Sequence, residues 1–168
     1  MSLRLLAVVG TDVHPFPRMV RAVDRWTSRH VGEVTSFVQY GHSEPPSYAS
    51  GEPFLAHDEL EKKLVEADMV VCHGGPSTIS EARRRGFRPI VFPRRVAFGE
   101  HVDDHQHLFV RRLAQSGLVS RVCDEDEVVR VLDAGLADPS SVRLEATDHS
   151  SAAASVRRFG DLVDALFD

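Results

Sequence analysis

The sequence predicts an α/β fold in which a parallel β-sheet carries helices on both faces. Apolar runs of strand length alternate with longer segments of helical periodicity along the chain, and this alternation is typical of a βα-repeat. The first run, Leu3 to Val9, is apolar except for Arg4, as expected of a central strand that is buried on both sides. With 168 residues, of which 42% are hydrophobic, the chain has the size of one domain with a sizeable core. We therefore expect a single Rossmann-like domain over residues 1–168.

The first quarter of that domain contains a strand, a helix and a second strand. Gly10 ends the first strand, and apolar residues then recur at helical spacing as far as Trp26. The run from Val34 to Gln39 predicts the second strand. Residues 41–50 are rich in Gly, Pro and Ser and therefore predict a loop. After this loop, Phe54 and Leu55 are expected to form a short third strand.

The middle of the chain predicts two further βα units. A helix is expected from Asp58 to Ala67, because Asp58 can act as the N-cap and Glu61 follows three residues later. The run from Met69 to Cys72 predicts the fourth strand. A helix is expected to begin near Ser77 and to end at Gly86, since glycine commonly terminates helices. The run from Pro89 to Phe92 predicts the fifth strand.

The last third of the chain continues the repeat and ends in helices. Residues 93–102 predict a loop, and a helix is expected from Asp103 to Ser116 before Gly117. Leu118 to Cys123 predicts the last strand, and Glu125 to Leu136 is helical by its period. Residues 137–147 are expected to be irregular. A C-terminal helix is predicted within residues 148–168, and its apolar stripe runs along Ser150 to Phe167.

Composition excludes several classes of protein. The net charge of −5 and the pI near 6.0 argue against a nucleic-acid-binding protein that gains affinity by neutralising phosphates. No apolar run approaches the roughly 20 residues that span a bilayer, and the N-terminus lacks the pattern of a signal peptide. Cys72 and Cys123 are too few for a disulfide framework, and both lie in apolar strand-like runs. These features predict a cytoplasmic protein.

A strand followed by a glycine turn and a helix start is the sharpest local feature. The segment His73-Gly74-Gly75-Pro76-Ser77-Thr78 follows the fourth strand, and the helix that it opens carries Glu81. Glycines let a backbone approach a ligand closely, and the unpaired amides at a helix start bind phosphate oxygens. The segment therefore predicts an anion site in which local backbone amides balance the charge of the ligand. A simple βα turn, with His73 as a structural histidine, is the alternative.

A second polar loop enters a helix at the same predicted edge of the sheet. It contains Pro93-Arg94-Arg95 and, a few residues later, Gly99-Glu100-His101-Val102-Asp103-Asp104-His105-Gln106. Carboxylates such as Asp104 and amides such as Gln106 are suited to reading sugar hydroxyls. A solvated helix start is one alternative. A metal site built on His101 and His105 is another, although Val102 stands where the zinc-protease pattern requires glutamate.

The turn after the first strand, Gly10-Thr11-Asp12, can place backbone beside a ligand at this edge. It lacks the dinucleotide fingerprint, and no Gly-Lys-Ser/Thr phosphate loop occurs anywhere in the chain, so a nicotinamide enzyme and a kinase are not indicated. Ser77, Ser80 and Cys72 stand near His73, but none lies in a nucleophile-elbow pattern. The sequence therefore predicts no covalent enzyme intermediate.

Together these segments resemble the donor-binding domain of glycosyltransferase family 28. The likeness runs from about Leu5 to Cys123 and is carried by the block Gly99 to Gln106, with the segments around Gly10 and His73. Within the family the chain is similar to small stand-alone subunits, such as bacterial exopolysaccharide subunits of the PssE type and the catalytic subunit that adds N-acetylglucosamine to a dolichol-linked sugar. The resemblance implies one half of a GT-B glycosyltransferase that uses a UDP-sugar and no cofactor.

The resemblance also assigns roles to particular residues. The diphosphate would be bound by the helix start, with His73 beside it; the implied residues are Gly74, Gly75, Ser77 and Thr78. Glu81 would bind the ribose hydroxyls. The sugar would face Asp104, His105 and Gln106, and the phosphates or the acceptor would lie near Gly10 and Thr11. Pro76 replaces a small residue of the family pattern and removes one amide donor.

The implied reaction transfers a sugar to a lipid-linked saccharide in polysaccharide biosynthesis. Such a reaction needs a general base, for which Asp12 and His14 are the candidates. The family also implies a membrane-associated partner subunit that binds the acceptor and recruits this chain to the inner face of the membrane. Two alternatives stay open: a regulatory module that binds a nucleotide-sugar without transferring it, and a metal-dependent hydrolase that uses His101 and His105.

Overall fold

The computed structural model describes residues 1–144 and 152–165, and these residues form a six-stranded sheet in the order β3-β2-β1-β4-β5-β6. The strands are β1 (Leu3–Val8), β2 (Val34–Gln39), β3 (Ser50–Glu52), β4 (Met69–Cys72), β5 (Ile90–Val91) and β6 (Ser120–Arg121). All neighbouring strands pair in parallel. The helices are α1 (Pro17–Arg29), α2 (His57–Glu66), α3 (Pro76–Arg84), α4 (His105–Gln115), α5 (Glu125–Ala137) and α6 (Ala152–Asp164). The predicted parallel α/β sheet with flanking helices is confirmed.

The core consists of two apolar layers, one on each face of the sheet. Alternate residues of β1 point to opposite faces, so that Leu5 and Ala7 belong to one layer and Leu6 and Val8 to the other. Helices α1 and α5 cover the first layer. Helices α2, α3 and α4 cover the second, against which Phe159 of α6 also packs. Because both faces are buried, the central strands are almost continuously apolar, which explains the pattern seen in the sequence.

Helix α1 shows how periodicity builds one of these layers. Pro17 occupies the first helical position, where its missing amide costs nothing. The buried residues of α1 recur along one stripe from Met19 to Thr27, and Trp26 among them is fully buried. The Trp26 indole donates a hydrogen bond to Asp133 of α5 at 2.7 Å. The predicted helix is therefore confirmed, and its polar contact fixes α1 against α5.

The order of the strands creates a topological switch point between β1 and β4. The chain runs outward from β1 to β2 and β3, then returns to the other side of β1 and continues through β4, β5 and β6. Val8 pairs with Cys72, so β1 and β4 end at the same level of the sheet. In open α/β sheets, ligands bind in the crevice at such a point. Gly10 and His73 follow these two strands.

Two predictions in the first half of the chain are wrong in detail. The third strand is Ser50–Glu52 rather than Phe54 and Leu55, because a short edge strand is held by main-chain pairing with β2 and needs no apolar side chains. Helix α2 begins one residue earlier than expected. Ala56, not Asp58, precedes it, and the Ala56 amide donates to Glu59 rather than Glu61.

The second half of the chain needs similar corrections. Strands β5 and β6 have two residues each and are shorter than predicted. Cys123 is exposed and follows β6 instead of lying in a strand, whereas Cys72 is buried as expected. The loop before α4 contains a 3₁₀ turn, Val96–Phe98, and another spans Pro139–Val142.

The C-terminal helix is α6, Ala152–Asp164, within the predicted 148–168. Parts of that prediction, at 148–151 and 166–168, and residues 145–147 of the irregular segment lie outside the described residues. In the part of the chain that the structure describes, every helix is too short or too polar to cross a bilayer.

Candidate functional site

A cleft of about 280 Å³ opens at the switch point between β1 and β4. Six of the residues predicted to bind substrate line it, and these are Gly10, Thr11, His73, Ser77, Thr78 and Glu81. The opposite wall consists of Leu55, His57 and Leu60, from the start of α2 and the loop before it, and Gln39 closes the base. The sequence-based prediction therefore identified one wall of this cleft and missed the other.

The start of α3 presents unpaired backbone amides to the cleft. Gly75 is the N-cap residue, makes no side-chain cap, and is followed by Pro76 at the first helical position. The first turn of any helix leaves its amides without an intrahelical acceptor. Within residues 1–144 and 152–165, the amides of Gly74, Gly75, Ser77 and Thr78 have no acceptor. Ser77 and Thr78 line the cleft, so two of these donors and the positive end of the helix dipole lie at its wall, and the amides of Gly74 and Gly75 adjoin them.

The imidazole of His73 lies between two glycines beneath this helix start. A Cβ atom at Gly10 would lie 2.6 Å from the His73 ring, and one at Gly75 would also collide with it. The His73 Nδ1 lies 3.4 Å from the Val8 carbonyl oxygen. Burial, and then the positive charge of Arg94, lowers the pKa of His73 to about 4. His73 is therefore a neutral imidazole at neutral pH, and both glycines are required by its position.

The amide of Gly10 is not free to bind a ligand. It donates to the Gln39 side-chain oxygen at 2.9 Å, and the Gln39 amide nitrogen donates in return to the Gly10 and Pro53 carbonyl oxygens. Gln39 is buried, so this exchange is shielded from water. Gly10 lines the cleft but offers it no amide donor, whereas the neighbouring Thr11 is exposed there.

The predicted sugar-facing residues lie at the start of α4, outside the lining of the cleft but next to its glycine turn. A Cβ atom at Gly74 would lie 3.0 Å from the Gln106 Cβ, and the Gln106 Oε1 is shielded from water without a hydrogen-bond partner in the described chain. Asp104 precedes α4, accepts from the Val96 amide at 3.2 Å, and remains half exposed. His105 is 71% exposed beside Asp103. Gln106 is thus the member of this group in contact with the glycine turn.

The two candidate bases, Asp12 and His14, are in direct contact and are joined by His101. The Asp12 Oδ1 lies 2.6 Å from the His14 Nδ1 and accepts from the His14 amide at 2.8 Å. The Asp12 Oδ2 lies 3.3 Å from the His101 Nε2. Burial acts to raise the pKa of Asp12, but the hydrogen bonds from His14 and the charges of Arg94 and His101 lower it below its ordinary value. A carboxylate that orients imidazoles is suited to general-base chemistry.

A buried arginine fixes the loops that carry these residues. The Arg94 side chain is 1% exposed and donates to the carbonyl oxygens of Val9, His14 and Glu100 at 2.7–2.9 Å. Burial lowers the pKa of Arg94, while the charges of Asp12 and Glu100 oppose that shift. The Glu100 carboxylate, also buried, accepts two hydrogen bonds from Arg18 at 2.6 and 2.7 Å. Arg94 and Glu100 therefore form the frame of the site.

The geometry does not favour the alternative of a metal site at His101 and His105. His101 contacts Asp12 through Nε2 and the Asp103 Oδ1 through Nδ1, and the His105 Nδ1 lies 3.4 Å from the Asp103 Oδ2. Among the residues that the structure describes, no three side chains of His, Cys, Asp or Glu are grouped so as to hold an ion.

Sequence reasoning missed several residues of the site, and some carried a signal. Gln39 is a polar residue at the end of an apolar strand, and Arg94 is a charged residue directly after another such strand. Both positions are unusual enough to suggest a specific hydrogen-bonding role. His101 was considered only as a metal ligand. Its contact with Asp12 joins residues 89 positions apart in the sequence, so it depends on the fold and no local pattern predicts it.

Comparisons with known proteins identify the family of the chain. A family model described as the glycosyltransferase family 28 C-terminal domain matches residues 6–163. A curated relative in Ralstonia nicotianae, the UDP-N-acetylglucosamine--N-acetylmuramyl-(pentapeptide) pyrophosphoryl-undecaprenol N-acetylglucosamine transferase, is 32% identical over 71 residues. That stretch covers 42% of this chain and 18% of the relative.

Three solved glycosyltransferases share the fold. MurG of Acinetobacter baumannii is 22% identical with a TM-score of 0.54, and the match covers 84% of this chain and 43% of that protein. The kitacinnamycin glycosyltransferase is 17% identical with a TM-score of 0.64 and coverages of 98% and 42%. The calicheamicin glycosyltransferase CalG4 is 15% identical with a TM-score of 0.56 and coverages of 98% and 38%. The chain thus spans about two fifths of each of these proteins.

Proposed function

Since the chain belongs to glycosyltransferase family 28 through the C-terminal domain of that family, we propose that it binds the UDP-sugar donor in a transfer of sugar to a lipid-linked saccharide. Its fold is the Rossmann-like half of a GT-B glycosyltransferase, as the resemblance implied. Family membership supports the reaction class. The residue roles below are part of the proposal.

The start of α3 carries the proposal. Of the four backbone amides without an acceptor in the described chain, those of Ser77 and Thr78 belong to residues that line a cleft at the switch point of the sheet, and those of Gly74 and Gly75 directly precede them. Such a group of donors is suited to a diphosphate. The neutral His73 fills the space behind these amides. The phosphates would therefore accept hydrogen bonds from the amides and would not pair with an imidazolium. When the sugar leaves, the same donors would stabilise the charge that develops on the diphosphate.

The rest of the cleft suits a nucleoside. Leu55 and Leu60 offer an apolar wall for a base, and the Glu81 carboxylate lies across the cleft on α3. Glu81 is 20% exposed and lies 3.7 Å from the His57 imidazole. A carboxylate in this position can accept hydrogen bonds from both ribose hydroxyls. These contacts support the assignment of Glu81 to the ribose, and UDP remains the nucleotide that we propose from the family.

The sugar would lie between the glycine turn and the start of α4. Gln106 contacts Gly74, and its unpaired side-chain oxygen can accept a hydrogen bond from a sugar hydroxyl. Asp104 and His105 are exposed on the same helix start. We assign the activation of the acceptor hydroxyl to the pair Asp12 and His14, whose hydrogen bond of 2.6 Å orients the imidazole.

The chain spans only 38–43% of the solved glycosyltransferases, which supports a full enzyme that contains more than this chain. We propose that a membrane-associated partner binds the acceptor and brings this chain to the inner face of the membrane, and that the product enters polysaccharide biosynthesis. The hydrolase alternative loses support, because in the described part of the chain His101 and His105 are not grouped with a third His, Cys, Asp or Glu side chain that could hold an ion.

Ser77→Asp tests the proposed diphosphate site. Ser77 is exposed in the first turn of α3, where a carboxylate stabilises a helix by about 0.3–1 kcal/mol. The same carboxylate would repel a bound diphosphate. We therefore expect the thermal midpoint to stay the same or rise, while calorimetry shows the Kd for UDP increasing at least tenfold, about 1.4 kcal/mol. Gly75→Asp is a poorer test, because its Cβ would collide with His73.

Ser77→Asn is the matched control, since asparagine has the shape of aspartate without its charge. The asparagine variant should bind UDP within a few fold of the natural chain. If both variants bind UDP equally well, the diphosphate does not lie at the start of α3 and the proposed site is wrong.

A further inference from the structure

A group of cationic side chains lies at the same edge of the sheet, on the far side of the α4 start. Arg95 follows β5, Arg121 ends β6, and His107 lies in the first turn of α4. The Arg121 Nη2 lies 3.5 Å from the His107 Nε2. Three nitrogens of this group are shielded from water without a hydrogen-bond partner in the described chain, namely the Nε atoms of both arginines and the His107 Nδ1.

The charges of this cationic group are poorly compensated. The Asp104 Oδ1 lies 3.8 Å from the Arg95 Nε, beyond hydrogen-bonding distance. Within residues 1–144 and 152–165, Arg121 and the nearby Arg111 form no ion pair with a carboxylate, whereas Arg18 is bound twice by Glu100. Burial, and then the charges of Arg95 and Arg121, lowers the pKa of His107. Like charges held together favour an anion that relieves their repulsion.

The cationic group is separate from the proposed diphosphate site. Strand β6 lies two positions from β4 in the sheet, which corresponds to about 10 Å between strands. Gln106 lies between the two places, because it contacts Gly74 on one side and precedes His107 on the other. An anion at Arg121 would therefore lie on the other side of Gln106 from the glycine turn.

Exposed apolar residues adjoin this group. The 3₁₀ turn Val96–Phe98 directly follows Arg95, and the Val96 amide is bound by Asp104 at the start of α4. Val96 is 42% exposed and Phe98 is 61% exposed. The Phe98 ring lies 4.2 Å from the guanidinium carbon of Arg18, so one side of the turn packs on that arginine while Val96 directly follows Arg95. Exposed apolar surface that adjoins the cationic group in the chain is suited to a ligand with a charged head and an apolar chain.

We propose that Arg95, His107 and Arg121 bind a phosphate group of the acceptor, and that the turn Val96–Phe98 contacts its lipid chain. The assignment to an acceptor rests on the proposed function, whereas the phosphate site itself does not. A free phosphate has the same charged chemistry, and the experiment below distinguishes the two sources.

The phosphate site is tested by titrating the full chain with inorganic phosphate at low ionic strength. The C2–H resonance of His107 should shift with saturation, because a bound anion favours the protonated imidazole. Arg121→Gln should weaken binding at least tenfold. Arg29→Gln is the matched control, since it removes the same charge from an exposed position at the end of α1 and should leave binding within twofold.

Geranyl phosphate identifies the source of the phosphate. Binding at least tenfold tighter than that of inorganic phosphate, with the gain lost in Phe98→Ser, assigns the site to a lipid-linked acceptor. Equal binding of the two ligands supports a phosphate site that serves a water-soluble group. An unchanged His107 resonance at saturating phosphate, or equal weakening in Arg121→Gln and Arg29→Gln, overturns the proposal.

This outcome is independent of the diphosphate site. Ser77→Asp should lose UDP binding and retain phosphate binding at His107, while Arg121→Gln should do the opposite. A chain that binds phosphate but not UDP would contradict the proposed function alone. A chain that binds UDP but not phosphate would contradict only the present inference.

Discussion

The imidazole of His73 shows how one residue explains two glycines. The motif His73-Gly74-Gly75 predicted a close approach of backbone to a ligand, and the structure adds a second cause. The ring fills the space that side chains at Gly10 and Gly75 would need. The sequence predicts the turn at this place. It does not predict the contact between Gly10 and His73, because the two residues follow different strands and are distant in the sequence.

His73 should make the protein less stable in acid. Its pKa is lowered from 6.5 to about 4 by burial, so the unfolded chain binds more protons between these values. Stability from this group is therefore fully present above pH 6.5 and is lost as the pH falls towards 4. Between pH 7 and pH 4.5 the loss is roughly 2–3 kcal/mol, at about 1.4 kcal/mol for each pH unit.

Urea unfolding of His73→Asn at these two pH values measures this contribution. At pH 7 the variant is expected to have a lower free energy of unfolding than the natural chain. On acidification to pH 4.5 its free energy of unfolding should fall by less, since asparagine does not titrate. Other groups titrate in both proteins and cancel in the comparison. An identical loss in the two proteins would show that His73 is not held neutral.

At the scale of elements, the loops after β1 and β5 are held together by Arg94. Its buried guanidinium donates hydrogen bonds to three carbonyl oxygens of these loops. Replacing Arg94 by Met would leave these carbonyl oxygens without a donor and the nearby Asp12 and Glu100 without its positive charge. The free energy of unfolding measured in urea should therefore fall by about 3–5 kcal/mol.

Arg4→Met provides the matched control for Arg94→Met. Arg4 lies 3.8 Å from Asp68 at the surface, and its side chain is 55% exposed. Such a pair contributes about 1 kcal/mol or less. A loss below 1 kcal/mol in both variants would mean that the buried arginine does not join the loops.

The elements that were predicted well are those whose own side chains fill the core. Periodicity identified α1 and the strands β1, β2 and β4, because their apolar residues face buried layers. Strand β3 was misplaced, since its three residues are all polar or small and pairing with β2 alone defines it. The cap of α2 was also misplaced, because Asp58 with Glu61 matches the sequence pattern of a capping box, whereas the actual N-cap, Ala56, has no capping side chain and only its amide donates to Glu59.

At the scale of the whole molecule, the site is assembled from both halves of the chain. The α3 start and Glu81 were predicted from a continuous segment, and their position in one cleft follows from the order of the strands. The wall formed by Leu55 and Leu60 was not predicted, since apolar residues before and within a helix suggest a core. A motif thus indicates the charged part of a site more readily than the apolar part.

The candidate bases give the last test, which uses the proposed partner as well as this chain. Asp12→Asn keeps the shape of the side chain but removes the charge beside His14 and His101. With a membrane fraction that contains the partner and acceptor, we expect transfer from the UDP-sugar to fall by about 10²–10⁴-fold, as on loss of a general base. The Kd for UDP should change little, because Asp12 does not line the cleft.

Val13→Thr is the matched control, since Val13 is exposed in the same loop and is not among the residues that line the cleft. Its transfer rate should stay within a few fold of that of the natural chain. If the natural chain binds UDP but yields no product with partner and acceptor, the protein is a binding module and not a transferase. If Asp12→Asn transfers sugar at the natural rate, the base lies elsewhere, and the partner becomes the place to look for it, because a GT-B site is shared between two domains.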